Sequence, residues 1–405
     1  CHVHLIVCIW SLKGHPAMGK NTVVCCDGTS NEFATRRTNV AKMVFALNKD
    51  PRVQAVHYHP GVGTMAAPGT VTRIGSALTR AAGLAFGYGL DRDIRDIYSF
   101  IADTYEEGDK LFLFGFSRGA YTVRAVTSLL KLYGLVPPGN GPLVPYIVRM
   151  MWAINRLQRH AKPQGAPDPR IDDYFKLAND FKATCARPCK PHFVGVWDTV
   201  SSVGWFTNPV SLPYTANNPD IAIARHAVAI DERRAFFRTN LWKPAAKEPS
   251  GPKDLVQVWF PGTHCDVGGG HPEPESGLSK VALEWMLDEA KAAGLLLDPD
   301  KTAEILGRGK NTAYVKPDAD GPIHDSMSFL WNLLEYVPRP RWKNGERVWQ
   351  ANEGRRRSLP PKPVIHDGAW ARTDGYAATL PPDAVKLSSL KKSTEAARTE
   401  PAPAV

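Results

Sequence analysis

One serine of this chain stands in a setting that suits a catalytic nucleophile. The segment from Leu111 to Ala120 reads LFLFGFSRGA, so an apolar run leads into a G-x-S-x-G motif and a helix-compatible run follows it. In this motif the serine occupies a strained turn between a strand and a helix, and the glycines leave room for the neighbouring backbone. We therefore predict that Ser117 is a nucleophile and that the backbone amide of Arg118 is an oxyanion donor.

A serine hydroxyl attacks a carbonyl only when a base accepts its proton, and an imidazole base needs an acid that fixes its tautomer. Two further strand-like runs end near such groups: HFVGVW leads into Asp198, and LVQVWF at 255–260 is followed by His264. Serine, acid and histidine thus occur in the chain order of α/β-hydrolases, at strand ends that share one edge of a parallel sheet. We predict that His264 is the base and Asp198 the acid.

Each of these two roles has a second candidate. Asp266 competes with Asp198 for the acid, and His366, in the segment VIHDG, competes with His264 for the base. A strand-end aspartate is often a turn or helix-cap residue, so position alone does not separate the two carboxylates.

The loop after the first predicted strand offers a second group for an oxyanion. Gly28 and Thr29 lie there, where hydrolases of this fold place an amide beside the one that follows the nucleophile. Asp27 would hold this loop through hydrogen bonds, although an ordinary Asx turn explains the Asp-Gly pair equally well. The glycines at 268–270 lack the Lys-Ser/Thr ending of a phosphate loop, and we predict instead that they let the backbone pass close beneath the site. We predict no metal site and no cofactor.

The elements that must position these residues alternate between strands and helices. Strands are predicted at 21–26, 53–59, 111–116, 192–198 and 255–260, and helices at 40–47, 91–107, 121–132 and 281–293. This alternation predicts an α/β fold with a parallel sheet covered by helices on both faces, of the α/β-hydrolase type.

An apolar insertion interrupts this alternation at about 138–191. It carries Met150, Met151, Trp152 and Ile154, a composition that is typical of a core helix. Because insertions between sheet strands of hydrolases commonly cover the site, we predict a cap here. The remaining boundaries are a probable extension at 1–17, a single domain at 18–383 and a disordered tail at 384–405, where the composition becomes polar.

Cysteine content and charge limit the classes of function. The seven cysteines are an odd number, and the adjacent Cys25 and Cys26 would point to opposite faces of a strand and could not bridge. This usage favours a reducing, cytoplasmic compartment. The net charge of +10 is scattered rather than gathered in an aromatic-interleaved stripe. It predicts no specific nucleic-acid partner and, at most, peripheral attraction to an anionic membrane. No apolar run is long enough for a transmembrane helix.

Five ordered motifs resemble a bacterial and fungal α/β-hydrolase domain family whose better-known members are the first class of type VI secretion lipase effectors. The resemblance spans about residues 20–290. The motifs that carry it are CDGT at 26–29 with Asn31, GVGT at 61–64, Gly108-Asp109 with 112–121, VWDTV at 196–200, and FPGTHCDVGGG at 260–270. By motif position, the family's nucleophile falls on Ser117 and its histidine on His264.

The resemblance implies a serine esterase or lipase, and in the effector branch a phospholipase that acts on acyl esters. It also implies an ester or lipid substrate, and it leaves export by a type VI-like route open. This sequence shows no counterpart of the long membrane-anchoring region of the large effectors, so we do not expect their delivery and membrane attack to carry over directly. The alternatives from the residues are an amidase or peptidase with the same groups, and a non-catalytic binding module.

Overall fold

The protein is built around an eight-stranded sheet. The computed structural model describes residues 19–28, 36–61, 85–160, 168–200, 204–205, 208–209, 212–243, 251–310, 313–343 and 346–392. The strands are β1 Asn21–Cys26, β2 Gln54–His59, β3 Lys110–Phe116, β4 Pro191–Trp197, β5 Gly204–Trp205, β6 Asn208–Pro209, β7 Ile223–Ala229, β8 Asp254–Phe260, β9 Arg339–Lys343, β10 Glu346–Gln350, β11 Val364–Ile365 and β12 Val385–Lys386.

Helices precede or follow most of these strands along the chain. The α-helices are α1 Asn39–Ala46, α2 Ala85–Thr104, α3 Arg118–Tyr133, α4 Val144–His160, α5 Arg170–Cys185, α6 His264–Gly268, α7 Gly277–Ala292, α8 Pro299–Ile305, α9 Phe329–Glu335 and α10 Gly368–Ala371. Within the described residues, no helix has both the length and the apolar content needed to cross a bilayer.

The main sheet has the order β12-β11-β8-β7-β4-β3-β1-β2, and its neighbouring strands run parallel. Two short antiparallel pairs, β5 with β6 and β9 with β10, lie outside it. Parallel strands need crossover connections, and α-helices lie in those from β1 to β2, β2 to β3, β3 to β4, β8 to β11 and β11 to β12. The predicted α/β class is therefore confirmed.

Strand β1 shows why both faces of the sheet are covered. All six of its residues are buried, and successive side chains enter different core clusters. Val24 and Cys26 pack in a cluster with residues of α2 to α5, whereas Val23 and Cys25 pack in a second cluster with residues of α1, α7 and α8. Because side chains alternate across a strand, apolar residues at successive positions such as 23–26 require apolar layers on both sides.

The predicted cap segment contributes α4 and α5. Met150 and Met151 of α4 are buried in the same cluster as residues of α2 and α3, and Trp152 packs against that cluster. Ile154 is also buried. Helix α4 contacts α3 directly, since the Ser128 hydroxyl of α3 lies 3.9 Å from Sδ of Met151 in α4. These side chains therefore belong to the core, and a covering role of the segment stays a prediction.

The prediction of a disordered tail at 384–405 is wrong for its first residues. Strand β12 pairs with β11 at the sheet edge, and residues 387–392 are helical. The backbone amide of Ser388 donates to Asp367 Oδ2 at 3.0 Å, and Leu387 is buried. The segment has a polar composition overall, but the buried Leu387 and the hydrogen bond to Asp367 attach it to the rest of the fold. Residues 1–17 and 393–405 lie outside the described residues.

Candidate active site

Ser117 occupies the turn between β3 and α3 with a backbone that non-glycine residues rarely adopt. Its φ is 58° and its ψ is −117°, and the residue is 8% exposed. A Cβ on Gly115 would lie 2.6 Å from the Ala120 nitrogen, and one on Gly119 would lie 2.2 Å from the Cys26 oxygen. Both glycines are therefore needed for the tight turn, as the motif predicted. Strain of this kind concentrates at functional sites.

Asp198 follows β4, the strand next to β3, and also has a positive φ, of 38°. The Ser117 amide donates to the Trp197 carbonyl at 3.0 Å, and the Asp198 amide donates to the Ala227 carbonyl at 2.7 Å. Hydrogen bonds between neighbouring strand ends thus hold the serine and the aspartate at the carboxyl edge of the sheet. The sequence predicts Ser117 and Asp198 at this edge.

His264 begins α6, two strands along from β4, and turns its ring to Asp198. Its Nδ1 lies 2.5 Å from Asp198 Oδ2. The ring is held between Phe116, at 4.6 Å between centroids, and Phe237, at 4.7 Å. Because Nδ1 faces the carboxylate, the proton belongs on Nδ1 and Nε2 is left as the basic nitrogen. Phe116 directly precedes Ser117, so the same aromatic contact links the histidine to the turn.

Gly268 provides the space for this contact. A Cβ at Gly268 would lie 1.9 Å from the Phe116 ring, which is far inside van der Waals distance. The sequence predicts that the glycine run at 268–270 lets the backbone pass close beneath the site. Its structural role is close approach of α6 to the strand that carries Ser117.

Arg357 is the site residue that the sequence did not reveal. Its Nη1 donates to Asp198 Oδ1 at 2.5 Å and its Nη2 donates to Asp198 Oδ2 at 2.9 Å. Nη1 also donates to the Ala229 carbonyl. Both side chains of this pair are buried, at 8% and 0% exposure. In the sequence Arg357 is one member of a basic run, with no motif that would separate it from Arg355.

Burial and charge act in opposite directions on the acid and the base. Burial alone would raise the pKa of Asp198, but the charge of Arg357 and the hydrogen bond from His264 bring it below the ordinary value. Burial lowers the pKa of His264, and the hydrogen bond and charge of Asp198 oppose this without reversing it. The acid is therefore ionised and the base neutral near pH 7, the protonation states that a triad requires.

The structure gives the competing acid other partners. Asp266 caps α6, because its Oδ2 accepts the Thr263 amide at 2.8 Å and the Thr263 hydroxyl at 3.0 Å. Its Oδ1 lies 2.6 Å from Nδ1 of His324 and 3.3 Å from Nε2 of His271. These contacts leave Asp198 as the carboxylate that meets His264.

The competing base is also engaged elsewhere. His366 stacks on Phe260 at 4.9 Å, and its Nδ1 lies 3.2 Å from the Gly368 amide. It follows β11 and is half-buried. Among the described contacts, His264 rather than His366 faces Asp198.

The Arg118 amide has the position expected of an oxyanion donor. Arg118 is the first residue of α3 and follows Ser117 directly. Amides in the first turn of a helix have no acceptor within the helix, and they point toward the space in front of it. Its role with substrate stays a prediction.

The Gly28 amide is already paired. It donates to Asp27 Oδ1 at 2.7 Å, while Asp27 Oδ2 accepts the hydroxyls of Thr38 at 2.6 Å and Tyr58 at 3.0 Å. Asp27 thus fixes the loop as predicted, but Gly28 would have to leave this carboxylate before it could bind an oxyanion. Thr29, the other predicted donor, lies outside the described residues.

One group of side chains has the composition of a metal site. Asp266, His271 and His324 place one donor atom each within 4.8 Å of one another. The 2.6 Å contact between Asp266 and His324 is a hydrogen-bond distance, and the His271 and His324 rings stack at 3.8 Å. Hydrogen bonding and stacking therefore account for the cluster, and it fastens α6 to the segment around 324.

Comparison with known proteins identifies relatives for most of the chain. The family described as "T6SS, Phospholipase effector Tle1-like, catalytic domain" matches residues 20–289. The uncharacterized protein YEL023C of Saccharomyces cerevisiae is 32% identical over 442 residues, which cover 78% of this chain and 63% of the yeast protein. The chain thus spans less than two thirds of this relative.

Two solved structures are also similar. An uncharacterized protein from Pseudomonas aeruginosa aligns at 19% identity and a TM-score of 0.41, over 74% of this chain and 49% of its own. The Tle1 effector bound to the VgrG spike of the type 6 secretion system aligns at 19% identity and a TM-score of 0.29, over 69% of this chain and 57% of its own.

Proposed function

Because the chain belongs to the family of Tle1-like phospholipase effector catalytic domains, we propose that it is a serine hydrolase that cleaves carboxylic esters of lipids, in particular phospholipid acyl esters. The observation that carries the proposal is the pairing of a strained strand-to-helix serine with a His264–Asp198 hydrogen bond at the same sheet edge. A nucleophile, a base and an orienting acid are the groups that acyl transfer needs.

The mechanism assigns one role to each residue. Ser117 Oγ attacks the acyl carbonyl while Nε2 of His264 takes the hydroxyl proton, and Asp198 stabilises the imidazolium that forms. The Arg118 amide holds the oxyanion of the tetrahedral intermediate. Collapse of the intermediate expels the alcohol, which takes its proton from His264. Water, activated by the same histidine, then releases the fatty acid and restores the serine.

Covalent labelling tests this proposal most directly. A fluorophosphonate probe should label the wild-type protein once, and Ser117→Ala should abolish labelling and lower ester turnover by about 10⁵-fold or more. The exposed Ser389→Ala is a matched serine variant that should keep both labelling and turnover. Circular dichroism should show the same folded signal for all three proteins.

The possible results separate the candidate functions. Labelling that persists in Ser117→Ala would contradict the assigned nucleophile, and a wild-type protein that is never labelled would favour a non-catalytic binding module. A panel of phospholipids, short esters and matched amides then decides the substrate class. Faster cleavage of the amides than of the esters would replace the esterase with an amidase on the same residues.

A further inference from the structure

Helix α9 and the two residues that follow it expose several large apolar side chains. Phe329, Leu333 and Tyr336 are 87%, 60% and 68% exposed, and they are the three most exposed large apolar side chains among the described residues. Their spacing of four and then three residues places them on one face of the helix. Val337, 45% exposed, extends this face. Gathered apolar exposure of this kind marks a docking surface more often than scattered single residues do.

The inner side of the same helix includes a buried carboxylate and is anchored by hydrogen bonds. Glu335 is 1% exposed, and its carboxylate accepts the Ala235 amide at 2.7 Å and the Asn352 side-chain amide at 2.6 Å. Ser328 caps the helix by accepting the Trp331 amide. A helix that faces water normally shows the opposite arrangement, with its charged side outward. Buried polar contacts therefore fix the outward direction of the apolar face.

A short chain of aromatic rings connects α9 to the candidate base. The Trp331 ring lies 5.4 Å from Phe236 and 5.7 Å from Phe237, and Phe237 packs edge-on against His264 at 4.7 Å. The Arg234 guanidinium covers Phe237 at 3.7 Å. A molecule that settles on the outer face of α9 is thus held next to the site proposed for acyl transfer.

The charge of the segment that follows α9 indicates which kind of partner fits this face. The ten residues 338–347 that follow the helix contain four basic residues and one acidic residue. Asn352, whose amide donates to the Glu335 carbonyl at the end of α9, is followed by Arg355 and Arg356, which are 58% and 57% exposed and pair with Glu353 and Asp231. The positive charge that favours an anionic partner therefore comes from the segment 338–347. An exposed apolar face that leads directly into a segment of net positive charge complements a bilayer with anionic headgroups.

We propose that the outer face of α9, formed by Phe329, Leu333, Tyr336 and Val337, docks on an anionic phospholipid surface. The inference rests on the proposed function only in its consequence, since docking there brings lipid acyl esters to the site beside His264. The docking itself depends on the exposed face and the charge beside it.

Vesicle binding tests the inference without catalysis. The full chain carrying Ser117→Ala should sediment with vesicles of phosphatidylcholine and phosphatidylglycerol, less with phosphatidylcholine alone, and less as salt screens the charges. Adding Phe329→Ser or Leu333→Ser should weaken this association by about tenfold each, because each removes one apolar side chain from the interface. Leu177→Ser, at a 40% exposed leucine on α5, is the matched control and should bind as before.

Hydrolysis by the otherwise wild-type protein provides the second readout. Phe329→Ser and Leu333→Ser should cut hydrolysis of vesicle phospholipid while leaving hydrolysis of a soluble short-chain ester unchanged. Unaltered vesicle binding by both variants would overturn the inference, as would a wild-type chain that ignores vesicles or pairs through this face with a second copy on sizing. Vesicle binding that depends on α9 in a protein without esterase activity would instead refute the proposed function and leave the docking surface standing.

Discussion

The guanidinium of Arg357 holds both carboxylate oxygens of Asp198, at 2.5 Å and 2.9 Å, while the same carboxylate receives Nδ1 of His264. The acid therefore divides its charge between a permanent cation and the imidazole. A bidentate arginine fixes the plane of the carboxylate, and with it the direction from which the histidine must approach. It also withdraws part of the charge that would stabilise the imidazolium.

Replacing Arg357 with methionine should affect both stability and pH dependence. Removing one partner of a buried ion pair costs about 3–5 kcal/mol, which urea or thermal denaturation would measure. Without the cation, Asp198 acts more strongly on His264 and raises its pKa, so the acid limb of kcat/KM should move to higher pH. The exposed Arg355→Met should change neither quantity. A destabilised Arg357→Met with an unmoved acid limb would limit the arginine to a structural role.

The wild-type protein should stay active below the usual range of histidine-dependent hydrolases. His264 acts as a base only when neutral, and burial holds its pKa below the ordinary value despite Asp198. Activity that needs the neutral form rises as pH increases through this pKa, so a lowered pKa moves the acid limb downward, to below about 6.5. A pH profile of kcat/KM on a soluble ester measures it. An acid limb above that value would mean that Asp198 outweighs burial.

The two aspartates near α6 should fail differently. Asp198→Asn should reduce turnover by about 10⁴-fold, because the amide favours the wrong imidazole tautomer, and it should also lower stability, because the buried Arg357 loses its anionic partner. Asp266→Asn weakens the cap of α6 and the contact with His324, so its main effect should be a lower melting temperature. Thermal denaturation and turnover on the same samples distinguish them. Intact turnover in Asp198→Asn together with a severe loss in Asp266→Asn would reverse the assignment.

The two histidines give a parallel comparison. His264→Ala should cost nearly as much turnover as Ser117→Ala, and the double variant should cost little more, because the residues act as one unit. His366→Ala removes only a stacking contact with Phe260 and should leave most of the activity. Steady-state kinetics on one ester suffice. Additive losses in the double variant would argue against a shared proton transfer.

Gly268 links the histidine helix to the nucleophile strand. Gly268→Ala places a methyl group where the Phe116 ring lies, and we expect lower stability and slower fluorophosphonate labelling of Ser117. Gly141→Ala is the control, since nothing lies within 4 Å of its added carbon. Labelling rates and melting curves of the two variants make the comparison. Wild-type labelling by Gly268→Ala would show that Phe116 moves aside freely.

Much of this architecture is predictable from local signals in the sequence. Apolar runs such as the one before Gly115 mark buried parallel strands, and the turn chemistry of G-x-S-x-G announces the strand-to-helix junction. Strand β7 was not predicted, because Arg225 and His226 interrupt its apolar pattern. The structure explains their presence, since Arg225 pairs with Asp254 and Glu289 and is thereby tolerated inside the sheet.

Local sequence signals do not predict contacts between residues that are far apart in the chain. Nothing around Arg357 distinguishes it from its basic neighbours, and its contact with Asp198 joins segments that are far apart in the chain. The same applies to α9, whose apolar residues suggest a buried helix until the structure shows Glu335 inside and Phe329 outside. Pattern rules assume that apolar residues face the core, so they do not predict a helix whose exposed face is apolar.

The partner of the acid is also the last site residue to be synthesised. Ribosomes deliver Ser117, Asp198 and His264 well before Arg357, and strands β11 and β12 emerge later still. Until then the carboxylate lacks its cation, and an unaccompanied charge resists burial. Burial of Asp198 in its final surroundings therefore waits for the segment that carries Arg357. For the proposed hydrolase, the order of synthesis thus sets the order in which the site is completed: nucleophile, acid and base first, and the cation that fixes the acid last.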